Sequence, residues 1–392
     1  MERAIVLGQK RCMKMLYIAN ARMPTEKAHG LTIVKSCEAF AKAGVDVTLV
    51  VPARHTDVRG DVFSVYAIER LFRVMKLPVI DALWWSGSRA AFVVEVMSFY
   101  TSVFLFMFFQ SRANVVYTRD APLCLLSWLG FRVVHEGHMI PARRALFFWL
   151  MRRAERVVVI SHALAHEYMQ AGFAQSDILV APSGVDLDIF KKESSQSDAR
   201  RELRLPLGVP LAVYTGNFTT MGKDKGVADS IAALRFAKGV VFAAFGGSNA
   251  DIETYADVAR RAGVSEQVIL RPHSPQTVLA LAQQAADILL MPFPDTPHYR
   301  NHMSPVKMFE YMASGRPVIA TDLPTVREVL DDTTAFIVPP NDPESLAREI
   351  LHVVASRDEA MRRSHKAREM VKEFSWEARS RRIVSMMEKM LR

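Results

Sequence analysis

The sequence predicts an α/β protein made of two doubly wound domains facing a central cleft. Three observations point there. Buried strands alternate with amphipathic helices in the first half, a polar stretch interrupts the pattern near residues 190–208, and the same alternation then restarts. A length of 392 residues with 50% hydrophobic composition supplies enough core for two such domains.

The elements follow in order. "KMLYIAN" reads as a buried strand, "ARMPTEKAHG" as a loop, "LTIVKSCEAFAKAG" as a helix and "VDVTLVVP" as the next strand. That is a strand–helix–strand unit of a parallel sheet. "AAFVVEVMSFYTSVFLFMFF", from Ala90 to Phe109, has the length of a membrane-crossing helix. It carries Glu95 near its middle and falls between strands of one domain. A charge at bilayer depth is expensive, so a buried core helix is expected. "ANVVYTRD" and "FRVVHEGH" read as further strands, "RVVVISHALAHEYMQAG" as strand then helix, and "DILVAPSGVDLDIF" closes a first domain at 1–190. "KKESSQSDARRELRLPLG" reads as a linker over 191–208.

The second domain, 209–372, takes its strands from "PLAVYTGNF", "VVFAAFGGS", "QVILRPHSP", "ADILLMPFPD" and "RPVIATD". Residues 373–392 hold a basic amphipathic helix with Ile383, Met386, Met387 and Met390 along one side. In doubly wound folds ligands lie outside the C-terminal ends of the strands, which here predicts the cleft.

Charged residues make up 23% of the chain and the net charge is +9. That balance suits phosphorylated ligands, nucleic acid or a membrane face. No helix–turn–helix, zinc finger or RNP-type motif directs it to nucleic acid, so none is expected as a partner. "PARRALFFWLMRRAERV" interleaves arginines with Phe147, Phe148 and Trp149, as an interfacial membrane helix does. The competing reading makes the aromatics core and the arginines a solvated face. Cys12, Cys37 and Cys124 lack CxxC spacing and read as reduced thiols of a cytosolic protein. "MERAIVLGQKRCMKMLYIAN" has no apolar run long enough for a signal peptide before Lys14, and Met13 or Met15 are alternative starts. The expected location is cytoplasmic, with peripheral contact at the inner membrane face kept open.

The most informative stretch is "HMSPVKMFEYMASGRPVIATD", a helix followed by a buried strand. Met308, Phe309, Tyr311 and Met312 make the helix apolar nearly all round, yet Glu310 sits among them. A lone ionised carboxylate there costs several kcal/mol unless it is paired or hydrogen-bonded. Ser304 reads as an N-cap, Pro305 fits the first turn, and the free N–H groups from Val306 onward form an anion site. Ser304, Lys307 and Glu310 recur at steps of three and share one side. A nucleoside diphosphate matches that series, with phosphates at the cap and lysine and ribose hydroxyls at the carboxylate. The alternative is that Glu310 pairs with Lys307 or a buried arginine and only holds packing.

In "YTGNFTTMGKDKGVADSI", Gly216 ends a strand and Lys225-Gly226 opens a helix. The spacing is not that of a Walker A loop, and Lys223 is followed by Asp224. A lysine at a helix start still suits a diphosphate, while a solvated loop is the plain alternative. Gly30 in "KAHGLTIV", and Gly246 and Gly247 in "FGGSN", are read as glycines that let backbone approach a ligand, or as turns. "VVHEGHMIP" is one residue short of a zinc-protease helix and reads as a strand end, so no metal is expected. His162 with His166, and His298 with His302, lack a third ligand. His138 is read as a hydrogen-bonding group for a sugar hydroxyl.

Together these segments resemble glycosyltransferase family 4, retaining enzymes of the GT-B fold with two Rossmann-like domains. "SPVKMFEYMASGRPVIATDLPTVREVL" resembles the family's donor-site segment most closely, and "KAHG", "VVISHALAHEYMQAG", "APSGVDLDIF" and "FSWEARSRR" match in place and order. The resemblance implies a nucleotide-diphosphate-sugar donor bound by the C-terminal domain and a hydroxyl acceptor, lipid-linked ones included, on the N-terminal side near Gly30. It also implies no metal or other cofactor, and a last helix that crosses back to the first domain. In the family's Glu-x7-Glu motif the second glutamate falls on Glu310, implied to grip the ribose. The first, implied to contact the sugar, falls on His302, a departure. A second departure is Asn217, at the position of an arginine that the family pairs with the lysine matched by Lys225. Lys307 is the candidate to replace that charge. The resemblance further implies His138 at the donor sugar, and His138, Lys225 and Lys307 as the catalytic set. Gly216, Asn217, Gly246, Gly247, His302, Ser304, Pro305, Val306 and Glu310 complete the donor site. The implied activity is a hexosyltransferase of glycolipid, polysaccharide or other glycoconjugate synthesis. A nucleotide-sugar epimerase of the same fold and a non-catalytic nucleotide-sugar-binding protein remain as alternatives.

Overall fold

A computed structural model of the chain describes residues 13–25, 27–112, 114–191, 194–220 and 222–392. Cys12 and the stretch before Met13 lie outside the described residues. The chain divides into two compact units. Unit 1 takes the chain up to Val159, Ala165–Ala181 and Arg379–Arg392, and unit 2 takes Ile160–Leu164 and Pro182–Ala378.

Unit 1 runs β1 (Lys14–Ile18), α1 (Ala28–Lys42), β2 (Asp46–Pro52), α2 (Val62–Val65), β3 (Arg73–Leu77), α3 (Arg89–Phe108), β4 (Val115–Thr118), β5 (Arg132–Gly137), α4 (Arg144–Met151), β6 (Arg156–Val159), α5 (His162–Gln170) and β7 (Ile178–Val180). Its seven strands are parallel in the order β3-β2-β1-β4-β5-β6-β7. The order reverses after β3. With right-handed crossovers, α1 then covers one face, while α3, the 3-10 segment Ala121–Leu129 and α4 form a layer on the other.

Unit 2 begins with α6 (Gln196–Glu202), β8 (Leu211–Thr215), the hairpin β9 (Thr219–Thr220) and β10 (Lys223–Asp224), α7 (Val227–Ala233) and β11 (Val241–Gly247). It continues with α8 (Asn249–Ala262), β12 (Val268–Pro272), α9 (Gln276–Ala285), β13 (Ile288–Met291), α10 (Pro297–Asn301), α11 (Val306–Ser314) and β14 (Val318–Thr321). The last elements are α12 (Pro324–Arg327), β15 (Phe336–Val338), α13 (Pro343–Ala355), α14 (Arg357–Met370) and α15 (Trp376–Leu391). The six-stranded parallel sheet has the order β12-β11-β8-β13-β14-β15, so the topology reverses between β8 and β13. From Arg379 on, α15 belongs to unit 1, where Ile383, Met387 and Met390 join the core of β1, β2, β4 and α1.

Three expectations are corrected here. The stretch read as a linker over 191–208 is part of unit 2 and contains α6. Arg200 is buried there. Its Nη2 donates to Asp287 Oδ2 at 2.6 Å and its Nε to the Ala285 carbonyl at 2.9 Å. The polar composition marked a buried anchor whose partners lie far away in sequence.

The second correction concerns α3, which is not a buried core helix. Ala91, Glu95, Phe99, Val103 and Met107, at steps of four, face inward. Phe92, Met97, Leu105 and Phe108 stand 54–61% exposed. Glu95 pairs with Arg54 at 2.7 Å and accepts from the Leu83 N–H at 3.2 Å. The one charge of the helix interior therefore points into the protein and the apolar side points out.

The third concerns Gly30, which lies inside the first turn of α1 rather than before it. A Cβ there would come within 2.4 Å of the Tyr66 hydroxyl and 2.5 Å of Thr25 Cγ2. Its close neighbour is the protein's own Tyr66, which clamps Thr25 by accepting from its N–H at 2.8 Å and donating to its carbonyl at 2.6 Å. On α4, Phe147 and Phe148 are core, while Leu146 and Trp149 are exposed. Cys37 and Cys124 are free and buried.

Candidate active site

In a doubly wound sheet the crevice forms where the strand order reverses, beyond the strand C-termini. In unit 2 that is the end of β8, with the turn after β11 on one side and α11 on the other. Gly216 follows β8 with φ +107°. Gly246, near the end of β11, has φ +123°, and a Cβ on it would sit 2.6 Å from the Gly216 carbonyl oxygen. Only glycine lets these two backbones meet. Gly247 is equally close to the Phe218 ring, and the Asn217 carbonyl accepts from the Tyr214 hydroxyl at 2.8 Å.

Lys307 reaches this spot from the first turn of α11. Its Cε and Nζ come within 3.4 Å of where a Gly216 Cβ would stand, and its Nζ lies 3.4 Å from the centroid of the Tyr214 ring. The side chain is buried, and among the described residues Nζ has no hydrogen-bond partner. Burial pulls its pKa well below the usual lysine range, and the positive field of Lys225 pulls the same way. Lys225 itself is pushed down to about 8 by burial. It is presented by the hairpin β9–β10. Asp224 beside it accepts from the N–H groups of Gly226 at 2.6 Å and Ala228 at 3.3 Å, which fixes the start of α7. Two amines are thus held near each other, offset at Lys307 only in part by the fields of Glu310 and Asp224, an arrangement that an anion would relieve.

Glu310 lies one turn further along α11 and is buried. Gln276 Nε2 donates to its Oε1 at 3.1 Å and Gln283 Nε2 to its Oε2 at 3.3 Å. Among the described residues it has no ion pair, although the positive field of Lys307 reaches it, so the packing alternative survives only as an attraction at a distance. Burial raises its pKa, and the two amide bonds oppose the rise. Each carboxylate oxygen keeps acceptor capacity for a hydroxyl. Tyr311 ties α11 to β8 by accepting from the Thr215 N–H at 2.8 Å.

Ser304 does not cap α11. Its Oγ accepts from the Ser183 N–H at 2.8 Å, its carbonyl accepts from Ser183 Oγ at 2.6 Å, and Pro305 stands at the cap position with no side-chain bond. No side chain therefore competes for the first N–H groups of the helix, at Val306 and Lys307. His302 closes α10, its N–H donating to the His298 carbonyl at 2.9 Å. Burial first, then the positive fields of His302, Lys225 and Lys223, lower the His298 pKa, which sets this corner in the same cationic surroundings as the β9–β10 hairpin.

In unit 1, His138 follows β5, and its Nε2 lies 2.7 Å from Glu136 Oε1. Glu136 is fully buried. It also accepts from Arg119 at 3.0 Å, from Arg379 at 2.8 Å and from the Tyr117 hydroxyl. Despite burial, the two guanidiniums hold its carboxyl well below the usual range, so it is ionised and can only accept. Nε2 of His138 therefore carries the proton, and Nδ1 is left as an acceptor. His135 points the other way, against Cys124 and Phe147, so the two histidines of "VVHEGH" do not converge.

The family model described as Glycosyltransferase Family 4 matches residues 31–189, and the one described as Glycosyl transferases group 1 matches residues 209–356. The chain belongs to glycosyltransferase family 4. Among curated relatives, the D-inositol 3-phosphate glycosyltransferase of Corynebacterium aurimucosum is 23% identical over 381 residues, covering 88% of this chain and 87% of that one. The enzyme of the same name from Nocardiopsis dassonvillei is 27% identical over 217 residues, 53% of this chain, and the chain spans about half of its length (49%). Sucrose-phosphate synthase from Thermosynechococcus elongatus has the same fold at TM-score 0.74 and 19% identity, with 97% of this chain and 99% of that one covered. Anabaena HepE in complex with UDP-glucose follows at TM-score 0.72 and 15% identity, covering 96% and 100%. These structures are GT-B glycosyltransferase folds, as expected for this chain.

Within this family 4 chain, unit 2 gathers Gly216, Gly246, Gly247, Lys225, His302, Val306, Lys307 and Glu310 around one strand end. Asn217 contributes backbone there, and Ser304 braces Ser183 instead. Residues that sequence reasoning missed are Gln276, Gln283, Tyr214 and Asp224 here, and Arg119, Glu136 and Arg379 around His138. A signal existed for one of them: Gln283 and Gln284 are buried amides in the apolar run of α9.

Proposed function

We propose that the chain transfers a sugar from a nucleotide-diphosphate sugar to a hydroxyl acceptor with retention of anomeric configuration, in glycolipid, polysaccharide or other glycoconjugate synthesis. The observation that carries the proposal is the buried, partnerless Lys307 amine beside Gly216, one helical turn from a carboxylate held by two amides. Lys307, Lys225 and the first N–H groups of α11 take the diphosphate, and Glu310 takes the ribose hydroxyls. Lys307 supplies the charge that Asn217 leaves out. In the reaction the bond from the anomeric carbon to the phosphate oxygen breaks and a bond to the acceptor oxygen forms. The acceptor proton passes to the departing diphosphate. The two lysines stabilise the charge growing on that group, so this reading gives them, rather than a metal, that task. His138, with Nδ1 as acceptor, receives a sugar hydroxyl.

Support for the donor class comes from family membership, and the Anabaena relative of this fold was solved with UDP-glucose. The two departures, His302 and Asn217, favour a second reading in which donor binds without turnover. A thermal-shift screen across UDP-, GDP- and ADP-sugars identifies the donor, and product analysis with that donor then separates transfer, epimerisation and mere binding. Lys225→Ala is expected to lower turnover about 10²–10³-fold, with the fold intact. Near-normal turnover in that variant removes Lys225 from the mechanism, and a product of inverted configuration refutes retention.

A further inference from the structure

The outward side of unit 1 carries a surface that the transfer chemistry does not use. α3 is built inside out: its charge, Glu95, is satisfied by Arg54 in the interior, while Phe92, Met97, Leu105 and Phe108 face solvent. It is the only helix among the described residues long and apolar enough to cross a membrane, and most of it is left unburied. It cannot cross one in this fold. It is the crossover between β3 and β4 of one sheet, and its inner stripe is core.

The apolar face continues sideways. The 3-10 segment Ala121–Leu129 packs against both α3 and α4. From that segment and α4, Trp128 and Trp149 meet edge to face at 6.1 Å and stay exposed, with the Arg153 guanidinium over both rings at 5.4 and 5.8 Å. Charge is sorted on the same stretch. Its acidic residues from Pro78 to Glu155 are Asp81, Glu95, Asp120, Glu136 and Glu155. Three are buried, Asp120 is engaged by the Asn20 N–H at 2.8 Å, and the exposed Glu155 is paired with Arg132 at 3.6 Å. The arginines at 89, 112, 143, 144, 152 and 153 are exposed, Arg144 being paired with Glu167 at 2.9 Å.

We infer that unit 1 docks on an anionic lipid bilayer through the outward face of α3, flanked by Trp128, Trp149 and the arginines at the two ends of α4. An apolar face edged by tryptophan and arginine is what a membrane–water boundary takes up, the rings at headgroup level and the guanidiniums on lipid phosphates. A second copy of the chain fits this face poorly. A two-fold contact sets the arginine edge against itself, and the exposed acid beside it, Glu155, is already paired with Arg132. The surface stands whether or not the donor assignment does, because its readout is lipid binding and not transfer.

The test is co-sedimentation of the full chain with vesicles of phosphatidylcholine alone and of about 70:30 phosphatidylcholine to phosphatidylglycerol, at low and high salt. Binding to the anionic vesicles, weakened by salt, is expected. The combined variant Phe92→Ser, Met97→Ser, Phe108→Ser is expected to lower partitioning at least about tenfold. Arg152→Gln and Arg153→Gln are expected to lower it about fivefold each on anionic vesicles only. Brominated lipid is expected to quench tryptophan fluorescence in the unaltered protein, since four of its five tryptophans, all but Trp376, are exposed in this region. That measurement needs no substitution. The inference is overturned if the chain stays in the supernatant with anionic vesicles at low salt, or if the serine variant, folded by circular dichroism, binds as well as the parent. A lipid-free dimer that the serine variant dissolves overturns it too, since the face then belongs to a second copy.

Discussion

Replacing Lys307 by methionine separates what the residue does for binding from what it does to stability. In the donor-free protein its amine is buried, has no hydrogen-bond partner and has its pKa pulled far down. An unsatisfied buried polar group costs about 1–3 kcal/mol, and methionine fills nearly the same volume with no polar demand. Part of the gain is offset by the lost contact with the Tyr214 ring, which leaves a net stabilisation of about 1–2 kcal/mol. For a unit of roughly 200 residues that is a melting-temperature rise of about 2–8 °C. Binding moves the other way. A charge-assisted bond to phosphate contributes about 1.5–3 kcal/mol, so affinity for the preferred nucleoside diphosphate falls roughly 10–150-fold. Differential scanning calorimetry without ligand and titration calorimetry with it measure the two effects. A lower melting temperature together with unchanged affinity would refute the assignment of Lys307 as an amine held ready for an anion.

Two further outcomes follow from the same geometry. Lys225, with its folded pKa near 8 against an unfolded value of about 10.4, binds fewer protons when folded across that interval. Donor-free stability should therefore rise as pH climbs from about 8 towards 10, while diphosphate affinity, which needs the ammonium form, should fall over the same range. Melting curves with and without ligand read both slopes, and a flat affinity contradicts the assignment. In unit 1, Arg379→Ala leaves the buried Glu136 with one guanidinium in place of two. Breaking a buried pair of this kind costs about 3–5 kcal/mol, measurable by urea denaturation, and a cost under about 1 kcal/mol would show that Arg119 alone suffices.

Much of this was legible in the chain. The strand–helix alternation marks both parallel sheets because strands buried on two faces must be continuous apolar runs. Glu310 stood out because a carboxylate in an apolar helix needs a reason. What holds it could not be read, since Gln276 and Gln283 lie a whole strand and helix upstream. Ser304 misled for a related reason: a serine before proline has the composition of a cap, and only its pairing with Ser183 shows otherwise. The stretch at 191–208 looked like solvated chain because Arg200 is polar and its partner Asp287 is distant. α3 was misjudged because composition gives how apolar a helix is all round, not which side is left uncovered.

One consequence concerns the order of synthesis. The first sheet of the protein is translated before unit 2, yet the guanidinium of Arg379 and the apolar side of α15 reach it only after unit 2 has been made. Until those emerge from the ribosome, Glu136 lacks half of its counter-charge and the floor of the sheet is unroofed. Nearly the first half of the sequence must wait, incomplete, through the making of unit 2, and a fragment cut after Ala181 should be a poor folder on its own.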